Sequence, residues 1–346
     1  VLHHRPLMPS PYAPLPDCVE NRIAAVTHTT SNLPLILGAW HKGWDGHRHI
    51  ADGHFNGKLA RARFYDRVLG GDQIGRETPE PRGLLAAWDF SQDIESERVT
   101  DVSGNGLDGR TMNLPTRAVT GPSWSGSVLN WTERRNEYDA IHFHEDDLLD
   151  CNWEPDVTFS IPKDFRSGVY ALRCRSSTGE HHIPFFVRPK HGTAGEKVAL
   201  LMPTATYLMY GNQHANYRER LNEMMRGALI ELSPSDVYLN DHPEFGLSSY
   251  DTHCDGSGVF YVTRHRPILN LQPMTRLWNF NIDMFIVDWL EARGTAFDVI
   301  TDEDLHNEGL DLLKPYQVVI TGSHPEYWSP EMCEGLDAWK RRGGRF

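Results

Sequence analysis

The octapeptide GSHPEYWS, residues 322–329, places a histidine and a carboxylate two positions apart and beside two aromatic side chains. It follows YQVVIT, residues 316–321, an apolar and β-branched run typical of a strand buried on both faces. Because side chains two apart in extended backbone point the same way, His324 and Glu326 are predicted to project together from the carboxyl end of this strand. Open α/β sheets bind ligands at that edge. The motif is therefore a candidate catalytic or metal-binding site.

Two other polar segments are predicted to lie at the same edge. The apolar residues 198–203 lead into TATYLMYGN, residues 204–212, and the loop SSYDTHCDGSGVFY, residues 248–261, is too polar for a core. Three polar clusters at one end of a sheet would define one crevice. Glu326 together with tyrosines would supply hard anionic oxygens that suit Fe(III), and the ion itself would deprotonate the phenols.

A nucleophile enzyme is the alternative architecture for cleaving an amide or ester. The sequence contains no G-x-S-x-G motif, which marks the nucleophile turn of many hydrolases. Ser323 occupies the elbow position after residues 316–321, and Cys254 is the one thiol of the polar loop. No neighbouring element clearly supplies a base for Cys254. Both residues are weaker candidates than a metal site.

The HFHEDD segment, residues 142–147, is a second group of metal-ligand side chains. His142 and His144 share a face because they alternate, and Glu145, Asp146 and Asp147 follow them. A solvated acidic loop is the favoured interpretation, since nothing nearby in the sequence fixes these side chains. His253 and Asp255, in the polar loop, are expected to shape the turn and to support neighbouring ligands rather than to bind metal.

The elements of residues 191–346 alternate between strand and helix. Residues 281–293 carry apolar side chains at three- and four-residue spacings and end at Gly294, as expected of an amphipathic helix. FDVIT, residues 297–301, reads as another buried strand, and residues 330–342 as a final helix. This alternation predicts an α/β domain with a parallel sheet.

The residues before this domain predict two β regions. Residues 1–137 contain short alternating segments and Gly/Asn/Asp turns, with residues 55–69 as one sandwich strand that has a turn at Asp66-Arg67. FNGKLARARFYDRVL, WDF and DVSGNGLDG together resemble concanavalin-like (laminin-G-type) jelly-roll domains, which often bind sugars, although an accessory role is favoured. Residues 138–190 hold strand-like runs at 157–161, 168–175 and 183–188, which predict a small Ig-like connecting domain.

Charge and composition exclude some partners. The net charge of −13 argues against a nucleic-acid partner, and no apolar run approaches the roughly 20 residues of a membrane span. Five scattered cysteines without a CxxC pair predict reduced thiols in a cytoplasmic protein. Because the chain starts at Val1 and ends where a helix meets a new strand, we expect a piece of a longer protein whose α/β domain is truncated at its C-terminus.

The motifs of the third region, in the order YLMYGN, SSYDTHCDGSG, FDVITDEDL and GSHPEYWS, resemble the large (catalytic) subunit of the N,N-dimethylformamidase family over nearly the whole chain. The resemblance implies a sheet similar to class I glutamine amidotransferases without their nucleophilic cysteine, and a mononuclear Fe(III) held by two tyrosines and one glutamate. By motif, Glu326 and Tyr250 are ligands; the third is Tyr207 or Tyr210, and Tyr207 is preferred because it is nearer the strand end.

The resemblance also implies a reaction and a partner. We expect an amidohydrolase that converts N,N-dimethylformamide and related small formamides to formate and dimethylamine, assembled with a small subunit. His324 would move a proton to the departing amine or orient water, and Tyr327 and Trp328 would line an apolar substrate pocket. The alternatives are a carbohydrate-binding or assembly protein with a non-catalytic α/β domain, and a metal-independent amidase that uses Ser323 or Cys254.

Overall fold

Antiparallel sheets precede a parallel sheet with helices, so the fold is mixed α and β, as predicted. The computed structural model describes residues 32–74, 76, 78–177, 179–214, 227, 232–273 and 279–346, with the backbone of two short strands near the start. The chain divides into two compact units, Val1–Asp52 and Gly53–Phe346. In the first unit, strand β1 (Leu2–His4) pairs with β2 (Val19–Asn21), and β3 (Trp40–Trp44) pairs with β4 (His49–Asp52), both antiparallel.

The second unit begins with two antiparallel sheets, and their strand orders are β10-β11-β5 and β6-β7-β8-β9. Antiparallel β structure is therefore confirmed for this region, while the jelly-roll arrangement stays a prediction. The strands are β5 (Gly57–Ala60), β6 (Arg63–Tyr65), β7 (Leu84–Asp89), β8 (Arg98–Asp101), β9 (Gly109–Arg110), β10 (Thr116–Val119) and β11 (Ala140–Phe143).

The prediction that residues 55–69 form one strand as far as a turn at Asp66-Arg67 is wrong. Arg61 has a φ of 53°, in the left-handed region, and this residue separates β5 from β6. Its guanidinium forms an ion pair with Asp139 at 3.3 Å, so the side chain is drawn toward the neighbouring sheet. The two halves of the segment consequently belong to different sheets.

The region between the β sheets and the α/β part holds one hairpin of described strands, β12 (Gly168–Arg175) and β13 (Glu180–Val187). Residues 157–161, predicted as a strand, have no regular secondary structure. The side chains of Val157 and Phe159 are 67% and 61% exposed, so this run has no buried face that a sheet could cover. Only the hairpin of the predicted Ig-like domain is therefore present among the described residues. The boundaries proposed at residues 137 and 190 both lie inside the second compact unit and stay predictions.

The predicted parallel sheet is confirmed. Strands β14 (Val198–Met202), β15 (Asp298–Thr301) and β16 (Val318–Thr321) lie in the order β15-β14-β16, and β14 is parallel to both neighbours. The likeness of this sheet to glutamine amidotransferases stays a prediction. The helices around it are α1 (Thr204–Tyr210), α2 (Pro234–Asp241), α3 (Phe280–Ala292), α4 (Asp302–Glu308), α5 (Leu310–Leu313) and α6 (Pro330–Arg341).

Helices cover both faces of the parallel sheet. Leu201 of β14 packs in a core with helices α4 to α6, whereas its neighbour Leu200 packs in a second core with α1 and α3. Both side chains are fully buried, as the alternation of a strand between two helical layers requires. The sheet is thus held rigidly on both sides, and its carboxyl edge offers fixed positions for the segments that follow β14 and β16.

Two expectations about environment can be compared with the described residues. None of the helices in the described part of the chain is both long and apolar enough to cross a bilayer. The four cysteines within the described ranges are free thiols, and Cys18 lies outside those ranges. The cytoplasmic location stays a prediction.

Helix α6 makes a close backbone contact that a single methyl group would disturb. A Cβ added to Gly335 would lie 2.8 Å from the carbonyl carbon of Gly309 and 3.0 Å from the nitrogen of Leu310. Helix propensity alone would favour alanine over glycine by about 1 kcal/mol. We expect the backbone clash to dominate, so that Gly335→Ala lowers the free energy of unfolding by about 1–3 kcal/mol in urea denaturation. Glu334→Ala, at an exposed position of the same helix, is the control, and equal stability of the two variants would contradict the prediction.

Candidate functional site

Three oxygen-bearing side chains meet at the carboxyl edge of the parallel sheet. Tyr210 is the last residue of α1, Tyr250 lies in the polar loop, and Glu326 lies between β16 and α6. The hydroxyls of Tyr210 and Tyr250 each donate to the Glu326 carboxylate at 3.0 Å. The two phenol rings stack with their centroids 4.0 Å apart. Three segments that are distant in sequence therefore converge on one carboxylate.

The two tyrosines of α1 have different environments, although they are only three residues apart. Tyr207 is 2% exposed, and its hydroxyl donates to the buried carboxylate of Asp283 on α3. Tyr207, the preferred ligand from the sequence, therefore lies apart from Glu326. Tyr210, the alternative, is the one that the helix brings to the cluster.

Asp283 also holds the turn that leads to Glu326. Its second carboxylate oxygen accepts the backbone N–H of Ser323, and the side chain is fully buried. At the preceding residue, Gly322, an added Cβ would lie 2.7 Å from both the Asp283 carboxyl carbon and Pro203 Cδ. The turn thus packs so closely on Asp283 that only glycine fits without displacement.

Thr206 fixes the next part of the same loop. Its hydroxyl donates to the backbone oxygen of His324 at 2.9 Å and accepts the backbone N–H of Glu326 at 3.2 Å. Thr206 is fully buried in α1. The sequence pattern did not indicate the roles of Thr206 and Asp283, because their partners lie about 120 and 40 positions away along the chain.

The Tyr250 loop is tied to the end of α1 by a separate set of bonds. The Ser248 hydroxyl donates to the backbone oxygen of Met209 at 2.6 Å, and the Ser248 N–H donates to Asp251. The Asp251 carboxylate also pairs with the imidazole of His214 at 2.8 Å, with both side chains buried. Tyr250 is therefore held between two anchored residues.

His324, Tyr327 and Trp328 were predicted to complete the site, and the structure separates them. His324 Nε2 lies 3.0 Å from the Glu326 carboxylate, and the hydroxyls of Tyr327 and Tyr250 are 2.6 Å apart. The indole of Trp328 instead bonds to the backbone oxygen of Pro325 and packs in the core on the opposite face of the sheet. Of the two predicted pocket residues, Tyr327 therefore lies beside Tyr250 and Trp328 does not.

Burial makes the phenols of this site hard to ionise. Desolvation, together with the hydrogen-bonded neighbours, raises the pKa of Tyr250 far above its ordinary value. Burial also raises the pKa of Tyr210, and the hydrogen bond to the Glu326 carboxylate acts in the same direction. Both phenols are consequently neutral donors at neutral pH. A bound cation would invert this balance, because its charge stabilises phenolate.

The donor set fits a hard trivalent metal ion. All three candidate ligand atoms are oxygens, and each can carry a negative charge. Each phenol oxygen lies within hydrogen-bond distance of the Glu326 carboxylate. The Glu326 side chain is 38% exposed, so a small molecule or water can reach it. The geometry therefore suits an ion held by three protein oxygens with further positions open to solvent.

The two candidate nucleophiles lack an activating environment. Burial and the nearby carboxylates of Glu145, Asp146 and Asp255 raise the pKa of Cys254, which opposes formation of the reactive thiolate. Ser323 has an exposed side chain, and its backbone is committed to Asp283. These environments do not favour a serine or cysteine amidase.

The HFHEDD segment is not a solvated loop, because the polar loop packs against it. His142 and His144 are 8% and 1% exposed, and His253 and Asp255 lie beside them. Burial lowers the pKa of His144 to about 4, and hydrogen bonds from Ser257 hold the pKa of Asp255 below its usual range. The expectation of solvated side chains is therefore wrong, since contacts made more than 100 residues away provide what the local sequence lacks.

Comparison with known proteins places the chain among relatives of one kind. Residues 116–346 match the family described as "N,N-dimethylformamidase beta subunit-like, C-terminal". The chain is 36% identical over 345 residues to the "N,N-dimethylformamidase beta subunit" of Alcaligenes sp, and 37% identical over 350 residues to the protein of the same description from Paracoccus aminophilus. Each alignment covers 95% of this chain and 45% of the relative. The chain thus spans a little under half the length of these curated relatives.

These matches correct one expectation. The prediction of the large (catalytic) subunit is wrong, because the matched family and both relatives are named beta subunit. The assignment is therefore to the beta subunit, and none of these names attributes catalysis to it.

The hydrogen bond between Tyr207 and Asp283 is expected to stabilise the fold. Tyr207→Phe removes the hydroxyl and leaves one oxygen of a fully buried carboxylate without that donor. We expect the free energy of unfolding to fall by about 1–3 kcal/mol in chemical denaturation. Tyr238→Phe, which changes a half-exposed tyrosine on α2, is the matched control. The prediction fails if both variants unfold at the same denaturant concentration.

Proposed function

From the membership of this chain in the N,N-dimethylformamidase beta subunit-like, C-terminal family, we propose that it takes part in hydrolysis of the C–N bond of N,N-dimethylformamide and related small formamides. The products would be formate and dimethylamine. The observation that carries the proposal is the convergence of Tyr210, Tyr250 and Glu326, with each phenol oxygen 3.0 Å from the carboxylate. The names of the two relatives support the choice of substrate class.

Tyr210, Tyr250 and Glu326 would hold a single Fe(III) in this proposal. When bound, such an ion supplies Lewis acidity, which polarises an amide carbonyl and promotes ionisation of water. The protein contributes the fixed positions of the ligands: Asp283 and Thr206 hold the Glu326 loop from two sides. Positions fixed before the substrate arrives spare the reaction the cost of reorganising them.

His324 is the group proposed to move a proton. Its Nε2 lies 3.0 Å from the Glu326 carboxylate, and its backbone oxygen is held by Thr206, so the imidazole remains beside the site. Cleavage of an amide requires a proton on the departing nitrogen, because an amide anion is a poor leaving group. An imidazole can hold this proton near neutral pH and deliver it to dimethylamine.

The aromatic side chains would bind the apolar part of the substrate. The rings of Tyr210 and Tyr250 stack, and Tyr327 is attached to Tyr250 by a hydroxyl–hydroxyl hydrogen bond of 2.6 Å. Their ring surfaces offer contacts suited to two N-methyl groups, while the formyl oxygen faces the polar centre of the cluster. We also propose that the chain functions with a second, different subunit, because its relatives are named as subunits of an enzyme.

Substitution of the two α1 tyrosines separates a metal ligand from a structural residue. We expect Tyr210→Phe to lose nearly all bound iron and the tyrosinate-to-Fe(III) absorption band, together with activity on N,N-dimethylformamide. Tyr207→Phe is the matched control three residues away, and it should keep its iron because Asp283 still accepts the Ser323 N–H and Thr206 still holds the Glu326 loop. Metal analysis and a visible spectrum of the purified full-length proteins provide the measurement. Iron retained in Tyr210→Phe and lost in Tyr207→Phe would refute this ligand assignment.

Replacement of His324 tests proton transfer independently of metal binding. Glutamine can still donate a hydrogen bond to Glu326 but cannot carry a proton near neutral pH, so His324→Gln should retain iron. We expect kcat to fall by about a hundred- to ten-thousand-fold and the pH–rate profile to lose one limb. His306→Gln, at a half-exposed histidine on α4, is the control. A kcat within a factor of a few of the parent, with the profile unchanged, would exclude the proposed role.

A further inference from the structure

A second group of ligand-type side chains lies where the polar loop contacts residues 142–146. We call His142, His144, His253 and Asp255 the histidine cluster. His142 lies in strand β11 and His144 directly follows it, and the other two members come from the polar loop. The cluster therefore joins the antiparallel β region to the α/β region within one compact unit. The site proposed for amide hydrolysis uses none of these residues.

The alternation of β11 brings two imidazoles together. His142 and His144 are two residues apart and share one face, with their ring centroids 4.0 Å apart. Both side chains are buried, at 8% and 1% exposure. Two buried imidazoles in contact are an unusual use of core space, since each has two ring nitrogens that need a partner.

The polar loop presents Asp255 to both imidazoles. An antiparallel bridge between Thr252 and Gly258 closes the loop. One carboxylate oxygen of Asp255 accepts the N–H and the hydroxyl of Ser257, which fixes its orientation. The other oxygen lies 2.8 Å from His142 Nε2 and 3.8 Å from His144 Nε2. The carboxylate is thus aimed between the two rings.

These separations match those of ligands around one small cation. The potential ligand atoms of His142, His144 and Asp255 all lie within 4.8 Å of one another. Around a tetrahedral zinc ion, bonds of about 2.0–2.1 Å place neighbouring ligand atoms about 3.3 Å apart. The two measured distances from Asp255 bracket that value, so only small side-chain movements are needed to bring three ligands onto an ion.

Outer carboxylates orient the rings as they do in known metal sites. Asp147 faces Nδ1 of His144 at 3.4 Å and accepts the backbone N–H of the same residue, while Nε2 lies 3.0 Å from the Ser257 hydroxyl and 3.8 Å from Asp255. Asp146 holds Nδ1 of His253 at 2.6 Å, and the His253 ring stacks on His144 with centroids 3.6 Å apart. Metal-binding histidines commonly use their second nitrogen in this way, which fixes the tautomer and the direction of the ligand atom.

We propose that His142, His144 and Asp255 bind a divalent transition-metal ion, best matched by zinc. This site is separate from the tyrosine cluster, which consists of Tyr210, Tyr250 and Glu326. Two imidazoles and one carboxylate suit zinc and its neighbours, whereas Ca²⁺ and Mg²⁺ prefer oxygen ligands alone. The Asp255 side chain is 36% exposed, so solvent reaches the edge of the site.

The ion would fasten the polar loop to β11. Tyr250 lies only five residues before Asp255, so the same loop carries a member of each cluster. The consequence for Tyr250 rests on the proposed function, but the zinc site does not. Zinc binding would restrict the loop whether or not the tyrosine cluster holds iron.

Metal titration of the purified full-length protein tests this inference. After removal of weakly bound metal with a chelator, we expect calorimetry to detect one zinc ion per chain, and Co²⁺ to give the absorption bands of a tetrahedral site. Asp255→Asn keeps the size of the side chain but removes its charge. We expect the zinc affinity of this variant to fall by more than about 100-fold, a larger loss than outer residues of metal sites usually cause. Zinc should also raise the melting temperature of the parent protein and not that of Asp255→Asn.

Two control variants make the result specific. His181→Gln changes a half-buried histidine of β13 outside the cluster and should leave zinc binding unchanged. Tyr250→Phe should also bind zinc normally, which separates this inference from failure of the proposed function. The inference is overturned if the parent protein binds no zinc, or if Asp255→Asn binds it as tightly as the parent does. Where circular dichroism shows Asp255→Asn to be unfolded, His142→Gln is judged by the same criterion.

Discussion

The buried carboxylate of Asp283 is the constraint on which the arrangement of the tyrosine cluster depends. It is fully buried on α3, it accepts the hydroxyl of Tyr207, and it accepts the backbone N–H of Ser323. A buried charge is tolerated only where such donors surround it. Because one donor belongs to α1 and the other to the turn after β16, the carboxylate sets the distance between the two segments that supply Tyr210 and Glu326. Thr206 adds a second link between the same segments.

Neighbouring residues of the short helix α1 contact different parts of the structure. Tyr207 faces the core and fixes the rotation of the helix, and this rotation directs Tyr210, three residues later, toward Glu326. Met209, between them, accepts the Ser248 hydroxyl through its backbone oxygen and so anchors the loop of Tyr250. About two turns of helix therefore contribute a packing residue, a member of the site and an anchor for another segment.

The sequence predicted those parts of the structure that depend on local pattern. Alternation placed His324 and Glu326 on the same side, and apolar runs identified the parallel strands. It did not show which of Tyr207 and Tyr210 lies beside Glu326, because Tyr207 is held instead by Asp283, which lies more than 70 residues away. It also merged β5 and β6, because no Gly, Pro, Asn or Asp stands between them to mark Arg61, where the backbone turns to a positive φ. The sequence also did not predict the burial of His142 and His144, because their neighbours come from the distant residues 253–257.

Closure of the polar loop affects the order in which the protein folds. Ser257 contacts His144 across 113 positions of sequence, and His253 contacts Asp146 across 107, while Ser248 contacts the end of α1 across 39. Contacts of such separation form late, because the chain must first lose the entropy of closing a long loop. The short link to α1 should therefore precede the long links to β11. The parallel sheet itself pairs Val198 with Val318, and the tyrosine cluster joins Tyr210 to Glu326, so both clusters depend on contacts of similar separation and partly folded chains would present neither of them complete.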